Sequence, residues 1–445
     1  MTRTWIAGSL ALVLMVGCTA TAAEDAAKAR AVPRLYVDPA KGDDTDPGSP
    51  EKPLATVARA LALAVEGKAE DILLADGSYG ALEITATFPA RVTLRPRPRA
   101  AGAQAPAKVL FERIAIAGAE NVVLDGLHFS VPDARTAKHC YVHVSKSKHV
   151  VLRNLQIYGE INNEWAAKKS IAMGVGDSED VAVEDSSMHH VQFGITVSRV
   201  KDIRVQGCQI GPFREDGIRF KNCDGVVCRD NHVHHSNKTL KEHCDGIQMI
   251  YWSHNVLLRN NHIHNVNQGI GAFASKDQKR RNWRVEGNLI YNIYNPNTMS
   301  IFDTVDAVIV HNTLPQAGLR LRGSTGAVVR NNIMAFPGSA TSPDAVKDED
   351  YNLFVGTEHT RDKPRGTHDL VGVDPQFVDA AKFDFRLRPT SPAIDSALGD
   401  GKRGKDMHGH EPVDAPTVPN TGAGQPPYAD RGACEYVPPE GPEKP

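Results

Sequence analysis

A short pattern, Gly followed by apolar, variable and apolar residues, recurs through the middle of the chain and restricts its fold more than any other feature. It reads Gly194-Ile195-Thr196-Val197, Gly217-Ile218-Arg219-Phe220, Gly246-Ile247-Gln248-Met249, Gly269-Ile270-Gly271-Ala272 and Gly318-Leu319-Arg320-Leu321. Each copy opens a unit of roughly 20 to 30 residues. Further into the units comes a second apolar-x-apolar strand: Ile203-Arg204-Val205, Val226-Val227-Cys228, Val256-Leu257-Leu258, Trp283-Arg284-Val285 and Val308-Ile309-Val310. Two or three residues later stands a small polar residue, in the series Ser186, Cys208, Asn231, Asn261, Asn288 and Thr313. One such unit cannot bury its own apolar face. Stacked ~4.8 Å apart, units pair every strand with neighbours above and below. Ile195, Ile218, Ile247 and Ile270 then form an interior column, and the recurring Asn an internal ladder that satisfies turn backbone groups. The expected class is all-β, a solenoid of parallel sheets. Helical periodicity is not sustained after about Ala64, and strands never alternate with long helices, which excludes bundles and doubly wound sheets.

The ends differ from the repeat. Residues 1–23 read as an export signal: Arg3, an apolar run from Trp5 to Val16 too short to span a bilayer, then small residues. Leu14-Met15-Val16-Gly17-Cys18 resembles a bacterial lipobox, which implies lipidation at Cys18 and a periplasmic or outer-membrane location. Ala20-Thr21-Ala22 offers an ordinary cleavage site and a soluble exported product instead. Residues 24–34 form a linker and 35–112 a cap with the first rungs. The central solenoid occupies 113–338, distal rungs and a second cap 339–438, and a disordered tail 439–445. Seven cysteines in an exported chain invite disulfides. Cys208 falls in the turn ladder and Cys228 at an inward position, so these two read as small buried hydrophobes.

The N-terminal part carries a family resemblance. Leu35-Tyr36-Val37, a Gly/Asp/Pro loop, the helical Pro53-Leu54-Ala55-Thr56-Val57 stretch and Leu74-Ala75-Asp76-Gly77-Ser78-Tyr79 look like the N-terminal cap of bacterial right-handed parallel β-helix proteins. A helix across the first rung hides an apolar end and an unpaired strand edge. The resemblance implies a right-handed parallel β-helix with an N-terminal helical cap, and a carbohydrate-active class that includes pectate and alginate lyases, C5-epimerases and polygalacturonases.

Chemistry on a solenoid comes from outward side chains. The outward position of the Gly-opening strand carries Thr196, Arg219, Gln248, Gly271, Ser300 and Arg320, with Phe193, Asp216, Asp245 and Gln268 just before the Gly. One turn upstream the outward column reads Tyr158, His189, Gly211, His234, His264 and Tyr291. Insertions at 159–169 and 236–243 leave at the same turn, as binding loops do. With a net charge of −2, global electrostatics do not argue for nucleic acid. Local charge favours an anionic polysaccharide bound by a monomer. Lys221, Arg320, His189, His234, His264, Tyr158 and Tyr291 are the expected sugar-binding groups, through charge and ring stacking. Arg219 or His243 is the expected base of a β-elimination, with Asp245 and Gln248 beside it, and Asp216, Asp245 and Glu215 are the expected ligands of a Ca²⁺.

His243-Cys244-Asp245-Gly246-Ile247-Gln248 is similar to the polygalacturonase Asn-Thr-Asp-Gly-Ile-Asp pattern, and Arg219-Phe220-Lys221 to its Arg-Ile-Lys, but the second Asp motif is missing. Gly246-Ile247-Gln248-Met249-Ile250 stands where epimerases carry Asp-Pro-His. The reading is a polysaccharide lyase. Against it stand a hydrolase or epimerase on the same fold and a non-catalytic glycan-binding solenoid. In the plainer account Asp216-Gly217 and Asp245-Gly246 are turn residues, and His234 and His264 structural filler.

Overall fold

A computed structural model describes residues 32–99, 108–130, 139–159, 170–237, 244–273, 279–294, 298–357 and 366–439. The expected signal peptide with Cys18, most of the linker, most of both insertions and the end of the tail lie outside them. Among the described residues three long sheets, all parallel, account for nearly all regular structure. One coil shows the order. Phe193–Ser198 belongs to the first sheet (11 strands), Lys201–Gln206 to the second (13) and Gln209–Ile210 to the third (13), and Ile218–Lys221 then returns to the first.

Register follows the period-two pattern. Ile195, Ile218, Ile247 and Ile270 are laterally paired and fully buried. Removing each from water contributes about 1.5–3 kcal/mol. The outward column Thr196, Arg219, Gln248, Gly271, Ser300 and Arg320 is paired as the sequence predicts.

The corner between the second and third sheets is built from two residues. The first takes left-handed backbone, as at Asp230 (φ 57°), Asn260 (φ 51°) and His311 (φ 54°), a conformation Asn, Asp and Gly reach most easily. The next points inward and forms the ladder. Asn231, Asn261, Asn288, Asn312, Asn332 and Asn352 each donate Nδ2 to the side-chain oxygen above, at 2.9–3.0 Å up to Asn352 and 3.3 Å at the last step to Asp369. The predicted Thr313 is one residue late. His311 occupies the left-handed position, so Asn312 takes the ladder site and Thr313 starts the third-sheet strand. The same slip applies to Val308-Ile309-Val310: Ile309 pairs with Val285 and faces inward, and Val308 faces out.

The N-terminal cap is a strand, Arg34–Val37, and one helix, α1, Val57–Val65, which Thr56 caps by accepting from the Arg59 amide at 3.2 Å. Val57, Ala60, Leu61 and Ala64 bury its inner stripe over the first coils. The C-terminal part departs from expectation. Coils end at Leu370–Val371, and beyond them the chain folds back along the outside of the third sheet. Phe377–Asp379 and Asp384–Leu387 pair antiparallel and pack Phe377, Phe385, Leu387 and Ile394 on Leu289, Tyr291, Ile333 and Leu353. These outward third-sheet residues are apolar, so the distal coils need a cover where the proximal ones do not. Leu398–Asp400 pairs with Ala423–Gln425 in a separate two-stranded sheet. The six described cysteines form no disulfide with one another, and no described helix is long and apolar enough to cross a membrane.

The ladder makes a direct prediction. Asn288 accepts from both the backbone N–H and the Nδ2 of Asn261, so Asn288→Ala strands two buried donors and costs about 3 kcal/mol. Urea denaturation measures this, and an unchanged midpoint would contradict the ladder's role.

Candidate active site

The outer face of the first sheet carries an open groove of about 700 Å³. Its floor consists of laterally paired outward residues on successive coils: Ala115, His143, Gly174, Thr196 and Arg219 in one column, with Ser198 and Lys221 alongside. Small residues keep it hollow. At Gly174 a Cβ would stand 3.2 Å from Cys140 Sγ and 3.4 Å from the His143 ring. Arg113, Arg219 and Lys221 supply positive charge beside the His143 imidazole, and among the described residues no carboxylate lines the groove. Tyr251 stands at the far end, with Lys221 Nζ 5.1 Å from its ring centre. Beyond it the column is closed: the Phe273 ring lies over Gly271 and meets Phe302 edge to face. The buried Arg280 guanidinium fixes this end by donating to the carbonyls of Tyr251, Phe273 and Phe302.

Behind Arg219 the predicted residues do come together. The guanidinium stacks 4.1 Å over Phe193, with Nη1 3.7 Å from Asp216 Oδ2. Asp216 Oδ1 accepts the Asp245 amide at 3.1 Å, and Asp245 Oδ2 accepts Gln248 Nε2 at 2.8 Å. Asp216 and Asp245 are buried, Gln248 is nearly so, and Arg219 is 29% exposed. Burial holds the Asp216 carboxyl up at about 6 against the pull of Arg219. Burial and the Asp216 charge keep Asp245 well above the usual carboxylate range.

Residues 113–290 match the family model described as right handed beta helix region, and residues 40–97 one described as a protein of unknown function (DUF1565). The chain is a right-handed parallel β-helix protein. No curated protein matches it by sequence. Among solved structures it is similar to a GH136 lacto-N-biosidase from Eubacterium ramulus, at 13% identity and TM-score 0.43, covering 74% of this chain and 65% of that one. It is also similar to the periplasmic alginate epimerase AlgG, at 13% and 0.37, covering 64% and 70%. A third is an alginate lyase from Paenibacillus sp. str. FPU-7, at 13% and 0.40, covering 71% and 99%. The chain thus spans 65% of the length of the first of these.

On this β-helix the remaining predicted groups divide. Arg320 stays in the first-sheet column, four coils beyond Arg219, against Phe302. Tyr158, His189, His234, His264 and Tyr291 face outward on the third sheet and none lines the groove. The expected convergence of three columns on one trough is therefore replaced by two separate faces. Asp216, Asp245 and Glu215 are not among the groups of three converging ligand atoms in the described residues. Glu215 is held instead by Gln192 Nε2 at 2.5 Å and sits 4.0 Å from Arg214. His243 lies outside the described residues. The sequence reading missed Arg113, His143 and Tyr251 as groove residues, although the period-two pattern already placed His143 outward. It also missed His232 and His262, whose signal was a repeated His-x-His.

The raised carboxyl predicts a pH dependence. A folded pKa near 6 against 3.8 unfolded means that Asp216's contribution is fully present below about pH 3.8 and is lost as pH rises through about 6. Asp216→Asn should therefore gain roughly 2 kcal/mol on the wild type between pH 4 and 7. Denaturation curves at both pH values check this, and parallel pH profiles would contradict it.

Proposed function

We propose that this chain is an exported polysaccharide-active enzyme that draws an acidic glycan into the first-sheet groove and cleaves it by β-elimination at a uronate. The observation that carries the reading is the groove's lining: Arg113, His143, Arg219 and Lys221, with no carboxylate among the described residues. Hydrolysis needs two carboxyl groups flanking the scissile bond. Here Asp245 is fully buried beside Asp216, which leaves Asp216 as the described acid paired with Arg219. Elimination needs a cation on the uronate carboxylate and one base.

Arg219, fixed by Phe193 and Asp216, pairs its free edge with that carboxylate. The proton on the adjacent carbon passes to Asp216, whose pKa near 6 suits a base at neutral pH. The C–H electron pair becomes the new double bond, the bond to the leaving oxygen breaks, and that oxygen takes a proton from water. Lys221 and Arg113 hold neighbouring sugar carboxylates.

Incubation with alginate, pectate and glycosaminoglycans, with and without a calcium chelator, should give products with the ultraviolet absorbance of an unsaturated uronate in either condition. Arg219→Ala should reduce the rate roughly 100-fold or more. The wild-type rate should climb with pH and level off above about 6. New reducing ends without that absorbance would make the chain a hydrolase, and glycan binding without product would make it a non-catalytic solenoid.

A further inference from the structure

The outer face of the third sheet carries an array that the groove does not use. His232–His234 and His262–His264 are adjacent strands in register, His232 beside His262 and His234 beside His264, with Val233 and Ile263 buried between them. All four imidazoles face outward. A purely solvated sheet face gains nothing from this crowding, since protonation of any ring repels the others.

We propose that His232, His262 and His264 form a binding site for one divalent transition cation of the zinc class, on the face opposite in role to the groove. One ligand atom from each lies within 4.8 Å of the other two. His232 Nε2 and His264 Nε2 are 2.8 Å apart, close to the about 3.3 Å that separates two imidazole nitrogens on a tetrahedral zinc. Neighbouring groups hold His264 in the orientation of a ligand. Its Nδ1 bonds Asn265 Oδ1 at 2.8 Å, which turns Nε2 toward the other rings, and Asn265 is in turn held by Asn292 at 3.0 Å. Such outer partners characterise histidines that bind metal. Tyr291 stacks on the His264 ring, with its hydroxyl 3.0 Å from His262 Nε2.

Three imidazole nitrogens, with no carboxylate or thiolate among the converging ligand atoms, favour zinc, copper or nickel over calcium or magnesium. The ion would tie the coil bearing His232 to the next, across the 30 residues that carry Asp245. It would do so beside the point where the C-terminal segment reaches the third sheet, at Tyr291 against Phe383 and Arg259 against the Lys405 carbonyl.

The test uses the full chain without a histidine tag, stripped with chelator and titrated with Zn²⁺ by calorimetry and with Co²⁺ by absorbance. Expected are one equivalent of Zn²⁺, cobalt ligand-field bands of a low-coordinate nitrogen site, and a higher melting temperature with metal. His264→Gln should weaken binding by roughly 100-fold and Asn265→Ala by about 10-fold, while His128→Ala, on the same face but several coils away, should leave it unchanged. Absent binding, or equal binding in wild type and His264→Gln, would overturn the site. Should His264→Gln fail to fold by circular dichroism, Asn265→Ala decides, because it keeps all three imidazoles.

Discussion

Lateral registry between coils is the constraint from which the rest of the molecule follows. Parallel strands pair only with the coils above and below, so a coil has no stable conformation until its neighbours fix where its side chains stand. Apolar columns alone would tolerate slippage, since isoleucine packs on isoleucine at many heights. The asparagine ladder removes that freedom. Each amide must meet the one above it or leave a buried donor unpaired, and a one-residue shift would also send the hydrophobic set to the wrong face.

Registry also explains the site. Arg219, Asp216, Asp245 and Gln248 belong to two coils, yet they form one connected group because their strands are paired. The sheet provides rigid placement, and burial provides the electrostatics: a carboxyl kept from water beside a partly exposed guanidinium. The same arithmetic on the third sheet brings two His-x-His strands into one four-ring patch. A β-helix can therefore carry distinct chemistry on separate faces without coupling them through the core.

Most of the coil architecture was legible because its signals are local and repeated. Gly before the first strand, alternation within it and a polar residue after the second specify both register and facing. Legibility failed where an element's identity depends on contacts far away in sequence. His311 looks like an ordinary polar residue, and only its left-handed backbone shows that Asn312 belongs in the ladder. Nothing in the sequence tells that the Asp216 and Asp245 carboxyls lie at 4% and 0% exposure, with Asp216 beside Arg219. Phe377 and Phe385 read as further rungs because they sit in strand-like stretches, but their partners are Leu289, Tyr291 and Leu353 on the outside of earlier coils. The His-x-His pairs were visible, yet their joint meaning needed the pairing of His232 with His262.

The ladder has a further consequence for how such a chain changes length. Steps between successive ladder residues range from 17 to 30 positions although the amides stay aligned. The second-to-third corner is pinned by a left-handed residue and a buried amide, whereas the third-to-first corner carries the long stretches around 159–169 and 236–243. Added or deleted residues are thus absorbed at the corners, mostly the third-to-first one but also at 97–108 and 274–282 on the other two, and the walls keep their chemistry while the spacers drift. Homologues compared by ladder position rather than residue count would then line up wall by wall even where little identity survives.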